Sequence, residues 1–363
     1  MSDRNFEIAV LGGDGIGPEV TQQAVRLLKQ LEPQLADVQF SLSEHSVGAN
    51  EYLAHGNPLP AEALDACRRC DAVLLGAMGL PTVRYPDGKE IAPQLDLREQ
   101  LELYGGIRPI RLYHENDTPL KGCGPDDIDF VLVRESTEGL FAGRSAVCDP
   151  DADEACNLLR ITRRGAERVC RLAFQIARQR KQQVALVDKA NVLSSMVFFR
   201  QAFDRVASEF PDCAAEHVYV DATALFLVQE PARFDVLVTE NMFGDILSDL
   251  GAGLVGGMGM APSGDIGDEA AVFQPAHGSA PGIVGQGIAN PVAMILSLAM
   301  MLDWLDHPET KRAANAIQSA VRQVLDKPSN RTPDMGGQLT TSQMTDEIAA
   351  ILDKSLAQAA EVS

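Results

Sequence analysis

The stretch FDVLVTENMFGDILSD, Phe234 to Asp249, decides how this chain is read. Its first half, FDVLVTEN, is a short apolar run that ends at the polar Glu240, the pattern of a buried strand reaching its carboxyl end. From Thr239 onward, Phe243, Ile246 and Leu247, with Leu250 just beyond, fall at the spacing of one helical face, and Asp245 and Asp249 stand four residues apart among them. Like charges at that spacing repel. So apolar a helix keeps both acids ionised only beside a cation, for which a hard divalent ion with oxygen ligands is the economical candidate; a solvated acidic face is the alternative.

Working outward, the same strand signature recurs. IRPIRL reaches Arg108 and Arg111, DFVLVRE reaches Arg134, QVALVDKAN reaches Asp188 and Lys189, and HVYVDAT reaches Asp221. Helical patterns over Thr162 to Arg180 and Ser194 to Glu209 lie between several of them. Alternating strand and helix predicts an α/β fold, in which ligands gather beyond the carboxyl ends of the strands; that rule draws Arg134, Lys189 and Asp221 toward one another. At the start, a strand from Phe6 to Leu11 feeds the loop GGDGIG and then Pro18, with Val20, Ala24, Leu27, Leu28 and Leu31 as a helical stripe. The Rossmann fingerprint fails, because Pro18 stands at its third glycine if Gly13 begins the count and Val20 if Gly15 does. The loop is then either a close-approach point for a ligand or a structural turn. Pro93 opens a helix on which Gln94 and Leu95 lie one turn before Arg98. The stretch from Gly251 to Asp268 reads as a glycine-rich loop, and a strand over Ala270 to Gln274 leads into PAHGSAPGIVGQGIANP and a helix from Val292.

With 363 residues the chain is long enough for two domains and a sizeable core. Its formal charge of −20 opposes general affinity for nucleic acid or an anionic membrane, so any anionic ligand must be met by a local arginine cluster. No charged leader precedes an apolar segment, and the longest nearly apolar stretch, Pro291 to Leu302, is too short to span a bilayer, which predicts a cytoplasmic protein. Seven scattered cysteines fit a reducing compartment, and the CxxC of Cys67 and Cys70 reads as an ordinary surface turn of helix.

Arginines suit bidentate recognition of carboxylates, a lysine becomes a base when neighbouring cations lower its pKa, and three aspartates suit Mg²⁺ or Mn²⁺. Arg98, Arg108, Arg134, Lys189, Asp221, Asp245 and Asp249 together describe a site for a small polycarboxylate held against a metal.

In these residues the sequence resembles the β-decarboxylating dehydrogenases of isopropylmalate, isocitrate, homoisocitrate and tartrate or D-malate. The resemblance runs through GGDGIGPEV at Gly12, LDLRE at Leu95, IRP at Ile107, VRESTEG at Val133, DKANVL at Asp188, VYVDA at Val218, NMFGDILSD at Asn241 and HGSAPGIVGQGIANP at His277. It implies a two-domain α/β fold with a large mixed sheet flanked by helices, not Rossmann: a discontinuous cofactor-binding domain of about 1–103 and 256–363, and a second domain of 104–255 at the dimer interface. It further implies a metal-dependent NAD oxidoreductase in which Arg98, Arg108 and Arg134 clamp the carboxylates of a hydroxy polycarboxylate. Asp221, Asp245 and Asp249 would bind Mg²⁺ or Mn²⁺, with Asp221 and the base Lys189 delivered by the second subunit of a homodimer. Asn191 would lie near the nicotinamide, and the loops His277 to Ala280 and Gly287 to Asn290, by way of His277, Gly278, Ser279, Ala280 and Asn290, would hold adenosine.

Three departures from the family pattern bear on chemistry. The usual catalytic tyrosine is Phe141, which has no proton to give. Another group or water then protonates the enol, or decarboxylation is inefficient, or the chain is a weakly active subunit supporting a more active partner. Gln94 stands where a leucine lines the isopropyl pocket beside Leu95, which favours a polar or small substituent of the malate or tartrate type. Gly282 and Ile283 replace both the acid of NAD-dependent members and the basic pair of NADP-dependent ones; without a cation for a 2′-phosphate, NAD is expected.

Overall fold

The computed structural model describes residues 4–125, 127–146 and 151–362. The chain divides into two compact units, Met1–Leu101 with Gly256–Gly264 and Asp268–Ser363, and Glu102–Val255 with Asp265–Gly267.

The first unit opens with β1 (Arg4–Leu11), α1 (Gly17–Leu31), β2 (Val38–His45), α2 (Ala49–His55), α3 (Ala61–Arg69), β3 (Ala72–Leu75) and α4 (Pro93–Gln100). β1 pairs in parallel with β2 on one side and β3 on the other. Every member of the predicted stripe on α1 is buried. The preceding glycine loop is a packing joint: the fully buried carboxylate of Asp14 accepts the backbone N–H groups of Ala49, Asn50 and Gly79 at 2.7, 2.9 and 2.8 Å. Cys67 does not lie on a surface turn. Its side chain is buried on α3, and burial pushes the thiol up to about 12, which leaves it inert. Cys148 lies outside the described residues.

The second unit runs β4 (Gly105–Arg111), β5 (Asp129–Glu135), α5 (Arg163–Arg178), β6 (Gln183–Asp188), α6 (Ser194–Ala207), β7 (Ala214–Tyr219), α7 (Val220–Gln229), β8 (Val236–Thr239) and α8 (Asn241–Gly253). Its strands lie in the order β4-β5-β8-β6-β7, antiparallel between β4 and β5 and parallel elsewhere. The two-residue period of β5 sorts its side chains: Val131 and Val133 pack with Phe174 of α5 and Phe199 and Phe203 of α6, whereas Phe130 and Leu132 pack with Leu227 of α7 and Leu247 of α8. Helices therefore cover both faces, the burden of a largely parallel sheet. The expected α/β fold with a mixed sheet flanked by helices is present, and the order is not that of a Rossmann domain.

The chain then forms β9 (Pro262–Ile266), β10 (Ala271–Pro275), α9 (Val292–Trp304), α10 (Pro308–Leu325) and α11 (Thr341–Val362). β10 pairs in parallel with β3. The glycine-rich stretch expected as a loop is shorter than predicted, because α8 runs to Gly253 and β9 begins at Pro262. Gly264 sits inside that strand since a Cβ there would meet the Phe273 ring at 3.0 Å, so glycine marks close packing rather than a bend. Among the described residues no helix is long and apolar enough to cross a membrane.

Candidate active site

Arg134 leaves the carboxyl end of β5 and is 2% exposed. Its Nε donates to Asn241 Oδ1 at 2.9 Å, its far edge is ion-paired with Asp245, and its guanidinium lies over the Phe141 ring, 5.3 Å from the centroid. Asn241 Nδ2 in turn donates to the carbonyl of Glu138 at 2.9 Å, which joins the start of α8 to the turn that carries Phe141. Gly244 is indispensable here, since a Cβ would fall 2.7 Å from both Cβ and Cγ of Arg134. Glu240 caps α8 by accepting the Phe243 N–H at 2.7 Å, and burial pushes its carboxyl above the usual range.

Asp249 lies one turn beyond Asp245. Burial, then the charge of Asp245, push its carboxyl up against the pull of Arg108 and Arg134, so the repulsion expected from the sequence is present. Arg108, on β4, is buried, with its guanidinium 3.9 Å from Asp265. Asp245 itself is half exposed.

Lys189 follows β6, and its Nζ pairs at 2.5 Å with Asp221 in the first turn of α7. The pair is open to solvent, 28% exposed on the lysine and 67% on the aspartate. The lysine hydrogen bond holds the Asp221 carboxyl below its ordinary range. Asp188, by contrast, is structural: it is buried, takes Arg200 as a fork at 2.8 and 2.8 Å, and so anchors the point where Lys189 emerges. Asn191 is exposed beyond it. Among the described residues no three His, Cys, Asp or Glu side chains gather as a metal group, so within one chain Asp221 does not join Asp245 and Asp249. Asp245 and Asp249 nevertheless fit a hard cation, being carboxylates one helical turn apart, the second held above its usual pKa by desolvation and then by the charge of the first.

In the first unit, α4 carries Arg98, buried, and half-buried Leu95. Gln94, one turn before Arg98, has a buried Oε1 with no hydrogen-bond partner among the described residues. His277 donates from Nδ1 to the Gly278 carbonyl at 2.9 Å, and burial lowers its pKa, so the neutral ring presents an acceptor at Nε2. That Nε2 is buried and has no hydrogen-bond partner among the described residues. Beyond it the carbonyl of Ser279 accepts the Ile16 N–H at 2.9 Å, and Ala280 adopts a left-handed φ of 41°. Strain held beside an orphaned acceptor fits a loop shaped for a ligand with hydrogen-bond donors, such as a nucleoside. Gly282 is exposed with open space around it, and Ile283 closes the short 3₁₀ turn Pro281–Ile283. The Asn290 side chain is engaged internally, donating to Asp334 at 3.1 Å and accepting the Val292 N–H at 3.1 Å.

Asn241, Gly244 and Asp265 were not singled out by sequence reasoning, and Glu240 was read there only as the end of a strand. Their types are common at helix starts and in glycine-rich stretches, and only the position of Arg134 or Arg108 gives them a role.

A buried arginine facing two helical acids, an exposed lysine–aspartate pair and a strained histidine loop define a class: an α/β enzyme for small anionic substrates. The family model described as isocitrate/isopropylmalate dehydrogenase matches residues 7–348. The chain is 45% identical over 336 residues to a 3-isopropylmalate dehydrogenase of Moorella thermoacetica, covering 91% of this chain and 93% of that one. It is 43% identical over 363 residues to the Geobacillus kaustophilus 3-isopropylmalate dehydrogenase, covering 96% of each. Among solved structures, an isocitrate dehydrogenase from Methylococcus capsulatus superposes with a TM-score of 0.85 at 36% identity, covering 96% of this chain and 99% of that one. A β-decarboxylating dehydrogenase from Thermococcus kodakarensis gives 0.80 at 38% identity, with 97% coverage of each. The chain belongs to the isocitrate/isopropylmalate dehydrogenase family and is an oxidoreductase of hydroxy acids.

Proposed function

We propose that this protein oxidises a 2-hydroxy acid bearing a second carboxylate, of the malate, tartrate or alkylmalate type, with NAD and Mg²⁺ or Mn²⁺. The observation that carries the reading is the cluster of buried Arg134 against Asp245 and Asp249. A bound divalent ion would acidify the substrate hydroxyl and NAD would accept the hydride. Arg98, Arg108 and Arg134 hold the carboxylates, as fits three buried guanidinium groups in a protein of formal charge −20. Lys189 takes the hydroxyl proton, directly or by way of Asp221, with Asn191 beside the nicotinamide. Loss of the β-carboxylate as CO₂ leaves an enol whose carbon needs a proton, and Phe141 supplies none.

Gln94 supports a substrate whose substituent is polar or small, because its orphaned oxygen is poorly matched by a branched hydrocarbon. The absence of a cation at Gly282 and Ile283 supports NAD. His277, Gly278, Ser279 and Ala280 form the adenosine loop, to which Asn290 contributes backbone only.

The functional unit is a homodimer in which Lys189 and Asp221 of one copy complete the arginine and acid cluster of the other. Leu225 and Val228 on α7 and Ile246 on α8, between 45% and 59% exposed, are the apolar surface such a partner would cover. The test is the ratio of kcat/KM for tartrate or D-malate to that for 3-isopropylmalate. A ratio above one that Gln94→Leu lowers at least tenfold is expected; a preference for 3-isopropylmalate in the unaltered protein overturns the substrate reading. Mixing inactive Asp221→Asn and Asp249→Asn proteins restores turnover if the sites are shared.

A further inference from the structure

We infer that residues 15–19, at the start of α1, brace both arms of the loop proposed to hold adenosine, with Glu19 and Thr341 as positioning residues for the cofactor. This rests on that reading of the loop and concerns what sets its shape.

Neither arm belongs to a helix or strand that would define it. The first, 277–280, ends at left-handed Ala280; the second, 287–290, begins at Gly287 with φ 67° and lies between the short turn Pro281–Ile283 and α9. Both are fastened to the same stretch. The Ile16 N–H donates to the Ser279 carbonyl at 2.9 Å, and Gly15, with φ 60°, permits that approach, since a Cβ there would fall 2.0 Å from the same oxygen. Three residues on, Glu19 in the first turn of α1 reaches Thr341, the first residue of α11. The Thr341 hydroxyl lies 2.5 Å from Glu19 Oε1 and 2.7 Å from the Ala289 carbonyl, with one hydrogen to share between them. Thr341 is 2% exposed, and its backbone N–H donates to the Gly287 carbonyl at 2.9 Å. One buried threonine thus holds two residues of the second arm, and an acid of α1 holds the threonine. Asn290, at the end of that arm, is tied separately to Asp334.

A loop set in place before its ligand arrives needs no further ordering, whereas a loose one must be ordered out of the binding free energy. Loss of the brace therefore weakens cofactor binding and leaves the chemical step alone.

The test titrates NADH by its fluorescence into the unaltered protein, Thr341→Val, Thr341→Ser, Glu19→Met and Glu19→Gln, with initial rates alongside. Thr341→Val keeps the shape without the hydroxyl, and Glu19→Met removes the acceptor. Each is expected to raise the Kd for NADH and the KM for NAD⁺ about five- to tenfold, the worth of one hydrogen bond, while kcat changes less than about twofold. Thr341→Ser and Glu19→Gln keep the contact and stay within about twofold of the unaltered protein. Thr341→Val with Glu19→Met matches Thr341→Val alone, because the two act through one contact; additive losses overturn the link. An unchanged Kd in Thr341→Val or Glu19→Met, or serine and glutamine variants as weak as these, overturns the brace. Should the buried Thr341→Val not fold, the part-exposed Glu19→Met carries the same test. His277→Ala separates the two readings. If it weakens NADH while Glu19→Met does not, the brace alone fails; if neither weakens NADH, the adenosine reading of the loop fails and the brace with it.

Discussion

Arg134–Asp245 and Lys189–Asp221 are both cation–carboxylate pairs at the carboxyl ends of neighbouring parallel strands, and they are built oppositely. The first rests on an arginine that α8, Asn241 and Gly244 hold in the core. The second stands largely in solvent, with its aspartate two-thirds exposed and its lysine emerging beside the Asp188–Arg200 fork, 5.9 Å from the centre of the Tyr219 ring. A buried arginine is held in one geometry by the packing around it although its acid, Asp245, is half exposed, whereas a pair with both partners open to solvent is worth little to stability. The difference teaches that one half of the proposed site is preformed within a chain, and that the other half is a surface feature whose function depends on what covers it.

The largest expected effect falls on the exposed pair and on turnover alone. Lys189→Met lowers kcat by about two to four decades, the usual worth of a general base, with no change in melting temperature; unchanged turnover removes Lys189 from the mechanism. Gly244→Ala reverses the pattern, since its Cβ forces Arg134 from its seat. It costs about 1–3 kcal/mol of stability and raises KM for dicarboxylates, as denaturant titration and initial rates would show.

pH separates the two halves by sign. Asp249 has its folded pKa raised, so its contribution to stability is present at acid pH and is lost as pH rises through the folded value; the residue is exposed, and solvent screening keeps the effect small. Chelated protein therefore melts lower as pH climbs through that range, and Asp249→Asn flattens the slope. Asp221 is lowered by Lys189, so its contribution is present above the ordinary carboxylate range and lost as pH falls, but its exposure leaves the effect close to nil. A pronounced acid-side effect of Asp221→Asn on the melting curve would contradict the contrast. Smallest of all, Phe141→Tyr raises the CO₂ to NADH ratio with little change in KM; a constant ratio means position 141 does not set the proton donor.

The α/β pattern and the facing of α8 were legible because short apolar runs ending in polar residues and a 3.6-residue stripe report burial directly. β2 was not, since VQFSLSEH is mostly part-buried or exposed and carries polar residues throughout. β9 was hidden for a different reason, because its proline, serine and glycine imitate a loop, and the glycine is explained by the Phe273 ring packed against it. At the site, residue types disclosed Asp245, Asp249 and Arg134, but not their arrangement. Asn241, Gly244 and the orphaned atoms of Gln94 and His277 are visible only when their neighbours are, as packing and hydrogen-bond satisfaction are properties of pairs.

The most direct test of the central claim is NADH formation by purified protein given NAD⁺, Mn²⁺ and, in turn, D-malate, tartrate, 3-isopropylmalate and isocitrate. The account predicts turnover with D-malate or tartrate that a chelator abolishes. No NADH from any of the four, as a supporting subunit without activity of its own would give, or turnover that survives the chelator, would contradict it.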